Sequence, residues 1–223
     1  MLSEIAVKLP TMEIELKLSI APGDVDAFNQ LPLLREYSSG APELQGLFSI
    51  YVDTPALHLK KHRSALRVRK VGDKWLQTYK GGGRVDAGLH QRHEWECEVP
   101  GPEIDLDSLL PLVDNPAARE ALEAPHLAEQ LREVFTTSFL RTIWMLNLPQ
   151  DTVVELALDQ GFVSAGVRSE ALCEIELELK SGQTEVLLAF SESLRQAITL
   201  EPSNISKAQR GFALRFPEGD SAL

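Results

Sequence analysis

Glu13-Ile14-Glu15-Leu16-Lys17 and Glu174-Ile175-Glu176-Leu177-Glu178-Leu179-Lys180 both alternate charged and aliphatic residues with a period of two. Successive side chains of an extended chain point to opposite faces. Each stretch therefore reads as a β-strand with its carboxylates on one face and its aliphatic groups on the other. A second kind of period-two strand, Arg67-Val68-Arg69, carries guanidinium groups where these carry carboxylates.

Working outward, the same alternation predicts strands over 12–20, 46–53, 64–71, 74–81, 90–99, 136–147, 152–159, 161–165 and 172–181. Helices are expected over 23–35, over 116–134 with an interruption near Pro125, and over 183–199, with a short last helix starting at Ser206. The helix over 183–199 rests on the stripe Val186, Leu187, Phe190, Leu194 and Ile198. The acid- and proline-rich stretch from Val99 to Asp107 reads as a linker between two halves. Gly81-Gly82-Gly83 lacks the Gly-Lys-Ser/Thr ending and following helix of a phosphate loop, and reads as a hairpin turn.

Parity collects one charged face from all these strands: Glu13, Glu15 and Lys17; Arg67 and Arg69; Lys80 beside Thr78; Arg92, Glu94, Glu96 and Glu98; Arg141; Glu155 and Asp159; Glu174, Glu176 and Glu178. A solvated sheet face usually mixes Thr, Ser, Lys and Gln. Arginine pairs and glutamate triplets repel one another unless something compensates. Divalent metal compensates carboxylates, and phosphate oxygens compensate arginines. A barrel closed with its charged face inward brings both sets together.

The chain has 223 residues, is 43% hydrophobic and carries a formal net charge of -11. That charge argues against nucleic-acid binding, which favours a basic surface. No apolar run reaches the roughly 18 residues that span a bilayer, so no membrane partner is expected. Residues 1–10 lack a signal-peptide core, which points to the cytoplasm. Cys97 and Cys173 share the parity of aliphatic neighbours and read as reduced core residues. Histidines 58, 62, 90, 93 and 126 form no ligand constellation and read as surface or turn residues.

Several motifs occur in a recognisable order: Glu13-x-Glu15-x-Lys17; Tyr51-Val52-Asp53-Thr54-Pro55; Leu66-Arg67-Val68-Arg69; Gly88-Leu89-His90-Gln91-Arg92; Leu158-Asp159-Gln160-Gly161; the Glu174–Glu178 strand; and Ser206-Lys207-Ala208-Gln209-Arg210-Gly211. In combination they resemble the CYTH, or triphosphate tunnel metalloenzyme, superfamily, most closely the CYTH domains of bacterial inorganic triphosphatases. The resemblance covers residues 12–216, leaving 1–11 as an N-terminal extension and 217–223 as a tail. Many relatives add a helical CHAD domain, which these residues do not include.

The resemblance implies an α+β fold: an eight-stranded antiparallel β-barrel whose polar tunnel binds triphosphate, with helices packed outside. It implies Mg²⁺ or Mn²⁺ held by Glu13, Glu15, Glu174, Glu176 and Glu178, with Asp159 a further ligand; the hard oxygens fit those ions better than Zn²⁺. Lys17, Arg67, Arg69, Lys80, Arg141 and Lys207 would grip phosphate, joined by Arg92 and Arg210. Lys17, Arg141 and Tyr51 would be catalytic, with Lys17 and Tyr51 handling protons.

The activity implied is metal-dependent hydrolysis of a small-molecule substrate, inorganic triphosphate, to pyrophosphate and phosphate. Rival readings are a thiamine or nucleoside triphosphatase, a class IV adenylyl cyclase and a non-catalytic polyphosphate-binding module. Trp75 and Trp95 have outward parity, so no stacking platform for an organic ring is evident, which favours the inorganic substrate.

Overall fold

Eight strands close on themselves in the computed structural model, which describes residues 11–217. They are β1 (Thr11–Ser19), β2 (Glu43–Asp53), β3 (Ser64–Val71), β4 (Lys74–Asp86), β5 (Leu89–Val99), β6 (Arg132–Leu148), β7 (Thr152–Ala165) and β8 (Arg168–Ser181). The sheet runs β5-β4-β3-β2-β6-β7-β8-β1, and pairing of β1 with β5 completes an antiparallel barrel. The two-residue β9 (Glu201–Pro202) adds to the outer end of β1. β1 pairs on both edges, from Thr11 to Leu16 with β5 and from Glu15 to Ser19 with β8. Apart from Thr11 and Pro217, the expected N-terminal extension and C-terminal tail lie outside the described residues.

Helices α1 (Val25–Asn29) and α2 (Pro32–Tyr37) follow β1, and α3 (His58–Lys61) follows β2. Helices α4 (Leu106–Leu109), α5 (Pro116–Leu122) and α6 (Leu127–Gln130) separate β5 from β6. Helix α7 (Thr184–Ala197) follows β8, and α8 (Lys207–Arg215) closes the described chain. None is long and apolar enough to cross a membrane.

The aliphatic faces point outward and are covered by these helices. Leu18, Leu146, Leu156, Leu158, Ile175 and Leu177 are fully buried beneath Phe28, Leu34, Leu187 and Leu194 from α1, α2 and α7. Each such side chain stabilises the fold by roughly 1.5–3 kcal/mol. A second cluster sets Leu66, Tyr79 and Trp95 against Leu109, Leu122 and Leu127 from α4 to α6. Helix α8 instead packs on inward residues: Phe212 meets the stacked rings of Tyr51 and Phe135. Its start is fixed by a capping box, Ser206 accepting from Gln209 N and Gln209 reaching back to Ser206 N.

Several boundaries differ from the sequence reading, each for a local reason. The helix expected over 23–35 splits because Pro32 starts α2 and holds Leu31 extended. The helix expected over 116–134 stops at Leu122, and β6 begins at Arg132 beyond Pro125 and the left-handed His126. β7 runs through the expected break at 160 because both its edges are paired, to β6 and to β8. The stretch Val99–Asp107 divides nothing, since β5 and β6 belong to one closed sheet.

Gly81-Gly82-Gly83 is not the hairpin turn. It is a bulge inside β4, and the turn falls at Ala87-Gly88. Gly83 has φ +105°, and a Cβ there would lie 2.0 Å from the Gln91 carbonyl oxygen, so only glycine fits.

Candidate active site in the barrel lumen

The inward faces enclose a cavity of about 760 Å³. Its acidic side comes from β1 and β8, whose register sets Glu15 opposite Glu178 and Lys17 opposite Glu176. Lys17 Nζ donates to Glu176 and lies 2.9 Å from Glu15 Oε2. Burial opposes the Lys17 ammonium, but Glu15 and Glu176 outweigh it and raise its pKa. Lys17 is thus held as an ammonium between the two carboxylates.

Glu15 shares its cation with Glu176. Its Oε2 is buried, 2.9 Å from Lys17 and 3.8 Å from Arg92, and accepts no hydrogen bond. Burial, followed by Glu176, pushes its carboxyl up to about 7 against the pull of Lys17. Glu13 is held by Lys80 at 2.7 and 2.8 Å, and Glu178 by Lys180 at 2.7 Å. Glu13, Glu15, Glu176 and Glu178 all line the cavity. This wall of hard oxygens, one of them buried without a hydrogen bond, fits a divalent cation.

Asp159 and Glu174 sit deeper, fully buried behind the lining. Carboxylate oxygens of Asp159, Glu174 and Glu176 come within 4.8 Å of one another, a spacing that suits a metal. The Lys207 ammonium already lies among them, at 2.6, 2.5 and 2.8 Å respectively. Arg141 forms a two-pronged bond to Asp159 at 2.7 Å and also contacts Glu176. Burial opposes both cations, but these carboxylates outweigh it and raise their pKa values.

Arg67 and Arg69 differ from every other lumen cation named above. Neither forms an ion pair among the described residues. Arg67 Nη1 donates to the Tyr51 hydroxyl at 3.4 Å, and Arg69 Nε to Ser49 Oγ at 2.9 Å. Desolvation, then Arg67 and Arg141, push the Arg69 guanidinium down to about 10. Burial raises the Tyr51 phenol, but Arg67, Arg69 and Lys207 outweigh it and hold it below 10. Burial opposes the Arg67 guanidinium too, but Tyr51, Glu94 and Glu96 outweigh it and raise its pKa, so the less compensated cation here is Arg69.

Of the expected phosphate-binding set, Lys17, Arg67, Arg69, Lys80, Arg92, Arg141 and Lys207 line the one cavity, and Arg210 does not. Arg210 turns to Glu170 at 2.9 Å and approaches Glu174 only at 3.9 Å. His90 corrects the surface reading of the histidines. It is 1% exposed, bonds the Ser203 carbonyl through Nε2 at 3.1 Å, and is pushed down to about 4, mainly by burial. Its parity with Arg92 and Glu94 already carried that signal. Lys60, Arg63, Phe212 and Phe216, which also line the cavity, were not anticipated, because they come from a turn and from α8 and its C-terminal cap rather than from strand faces.

The chain matches the CYTH domain family over residues 11–212. It belongs to that family. The CYTH chain is 35% identical over 210 residues to an inorganic triphosphatase of Haemophilus influenzae, covering 91% of this chain and 54% of that protein. It thus spans about half the length of the curated relative it matches. Solved structures share the fold: a Hippeastrum protein provisionally assigned as an adenylyl cyclase and described as having a dominant triphosphatase activity (TM-score 0.61, 19% identity, 90% of this chain and 95% of that one), and a Bacillus halodurans protein provisionally assigned as an adenylate cyclase (TM-score 0.56, 23% identity, 91% and 98%).

Proposed function

We propose that this CYTH domain hydrolyses inorganic triphosphate to pyrophosphate and phosphate inside the barrel. The observation that carries the reading is the divided charge of the lumen. Arg67 and Arg69 line the cavity bonded only to hydroxyl oxygens, and Glu15 lines it with a buried oxygen that accepts no hydrogen bond. A triphosphate with a divalent cation supplies what each side lacks.

Glu13, Glu15, Glu176 and Glu178 would hold Mg²⁺ or Mn²⁺. When bound, the ion supplies positive charge against charge developing on phosphoryl oxygens, and a means of activating water. Phosphoryl transfer needs mainly positioning and neutralisation, which falls to the chain's cations. Arg67 and Arg69 bind the phosphate chain directly, with Lys80 and Arg92 beside them. Lys17 and Arg141, fixed by Glu176 and Asp159, direct their remaining N–H groups at substrate oxygens. Asp159 and Glu174 hold Lys207 and Arg141 in place. Tyr51, with its lowered pKa, is the residue suited to moving a proton at its hydroxyl.

A nucleoside or thiamine triphosphatase is the second reading, favoured by the exposed Phe216 on the cavity lining, where a ring attached to the triphosphate would sit. Phosphate release from tripolyphosphate, with Mg²⁺, with Mn²⁺ and with chelator, tests the main proposal. Release that depends on either ion is expected. No release with both ions supplied contradicts it and leaves a binding module.

A further inference from the structure

Phe139 is an apolar residue on a charged face. It shares the parity of Arg141 on β6, and it is buried against Leu47 of β2, Leu172 of β8 and the partly buried Val71 of β3. Those three positions share the inward parity of Tyr51, Glu174 and Arg69 on their own strands. This cluster therefore lies inside the barrel, unlike the aliphatic faces that the helices cover. Gly161, the last residue of the Leu158-Asp159-Gln160-Gly161 motif, pairs with Phe139 in register. A Cβ at 161 would lie 2.2 Å from the Ser138 carbonyl oxygen and 2.5 Å from Phe139 Cβ, so β7 comes this close only because the residue is glycine.

Three cations from three elements gather on this one ring. Lys207 Nζ of α8 lies 5.1 Å from its centroid, Arg69 Cζ of β3 5.6 Å and Arg141 Cζ of β6 5.8 Å. All fall within the roughly 6 Å over which an aromatic face attracts a cation. Arg141 and Lys207 are already fixed by Asp159 and Glu176. Arg69 is not: desolvation and the neighbouring Arg67 and Arg141 oppose its charge, and its side chain bonds only the Ser49 hydroxyl. A carboxylate here would neutralise Arg69 and compete with phosphate for its N–H groups. A ring attracts the guanidinium yet bears no net charge, so it places Arg69 and leaves it free for an anion. Packing against Leu47 and Leu172 would be served equally by an aliphatic side chain, which has no such attraction for the cations.

Building on the triphosphate reading, we propose that Phe139 is a positioning residue whose ring face holds the Arg69 guanidinium ready for phosphate without neutralising it. The test replaces Phe139 by mono-, di- and trifluorophenylalanine through nonsense suppression. Fluorine drains the negative face of the ring and changes its shape little. Tripolyphosphate binding is measured by calorimetry with chelator present, in the natural background and in Arg69→Gln, which can still hydrogen-bond phosphate. In the natural background affinity should fall with each added fluorine, by about three- to tenfold at the trifluoro ring, the cost of ordering one long side chain on binding. The melting temperature should stay within about 4 °C. In Arg69→Gln the series should be flat, because the ring then has no Arg69 to place. A flat series in the natural background overturns the proposal, and so does an undiminished slope in Arg69→Gln. Failure of the unsubstituted protein to bind tripolyphosphate at all would remove the triphosphate reading itself, and the proposal with it.

Discussion

Two glutamates that look alike in the sequence face opposite electrostatic situations in the lumen. Glu176 is gripped by Lys17, Arg141 and Lys207, which outweigh its burial and hold its carboxyl well below the usual range. Glu15 is pushed up to about 7. In the unfolded chain its proton leaves near 4.5, so the metal-free fold loses stability as pH rises from about 4.5 to 7. At pH 8 without metal, Glu15→Gln should stabilise the protein by roughly 1–3 kcal/mol. Glu176→Gln should destabilise it by roughly 3–5 kcal/mol, because it strands buried cations. Urea unfolding of both variants checks this, and shifts of the same sign would refute the charge division. His90 titrates in the other sense. It is held near 4 in the fold against about 6.5 unfolded, so stability is lost as pH falls through that window, at up to about 1.4 kcal/mol per pH unit. His90→Gln should flatten the decline between pH 6.5 and 4 in a melting series.

Strands were legible as elements because period two survives any tertiary context, and the inverted parity of polar-inside and apolar-outside faces carried the barrel with it. Elements placed by close approach rather than by alternation were not. The β4 bulge at Gly83 follows from contact with the Gln91 carbonyl, and the turn after β2 from hydrogen bonds converging on Asp53. Helix α8 shows the same limit. It meets the barrel where Gly211 has no side chain: a Cβ there would lie 2.1 Å from the Phe135 ring. Gly211→Ala should push α8 outward and pull Lys207 from Asp159, Glu174 and Glu176. A loss of about 1–3 kcal/mol of stability is expected, with tripolyphosphate turnover down by more than tenfold. A variant with full turnover and unchanged stability would show that α8 does not fix Lys207.

The whole molecule carries a net charge of -11 and still gathers seven of its expected phosphate-binding cations around one cavity. Net charge was therefore a poor guide to where the cations gather, while parity along each strand was a good one. What parity left out is the part of the lining that comes from outside the strands, Lys60, Arg63, Phe212 and Phe216. The central claim is that the lumen is built for a bare triphosphate with a divalent ion. Its most direct measurement is kcat/KM for tripolyphosphate, ATP and thiamine triphosphate, side by side with Mg²⁺ and with Mn²⁺. Tripolyphosphate should lead by at least ~10-fold, a difference of about 1.4 kcal/mol in transition-state stabilisation. ATP or thiamine triphosphate as the better substrate would contradict the account.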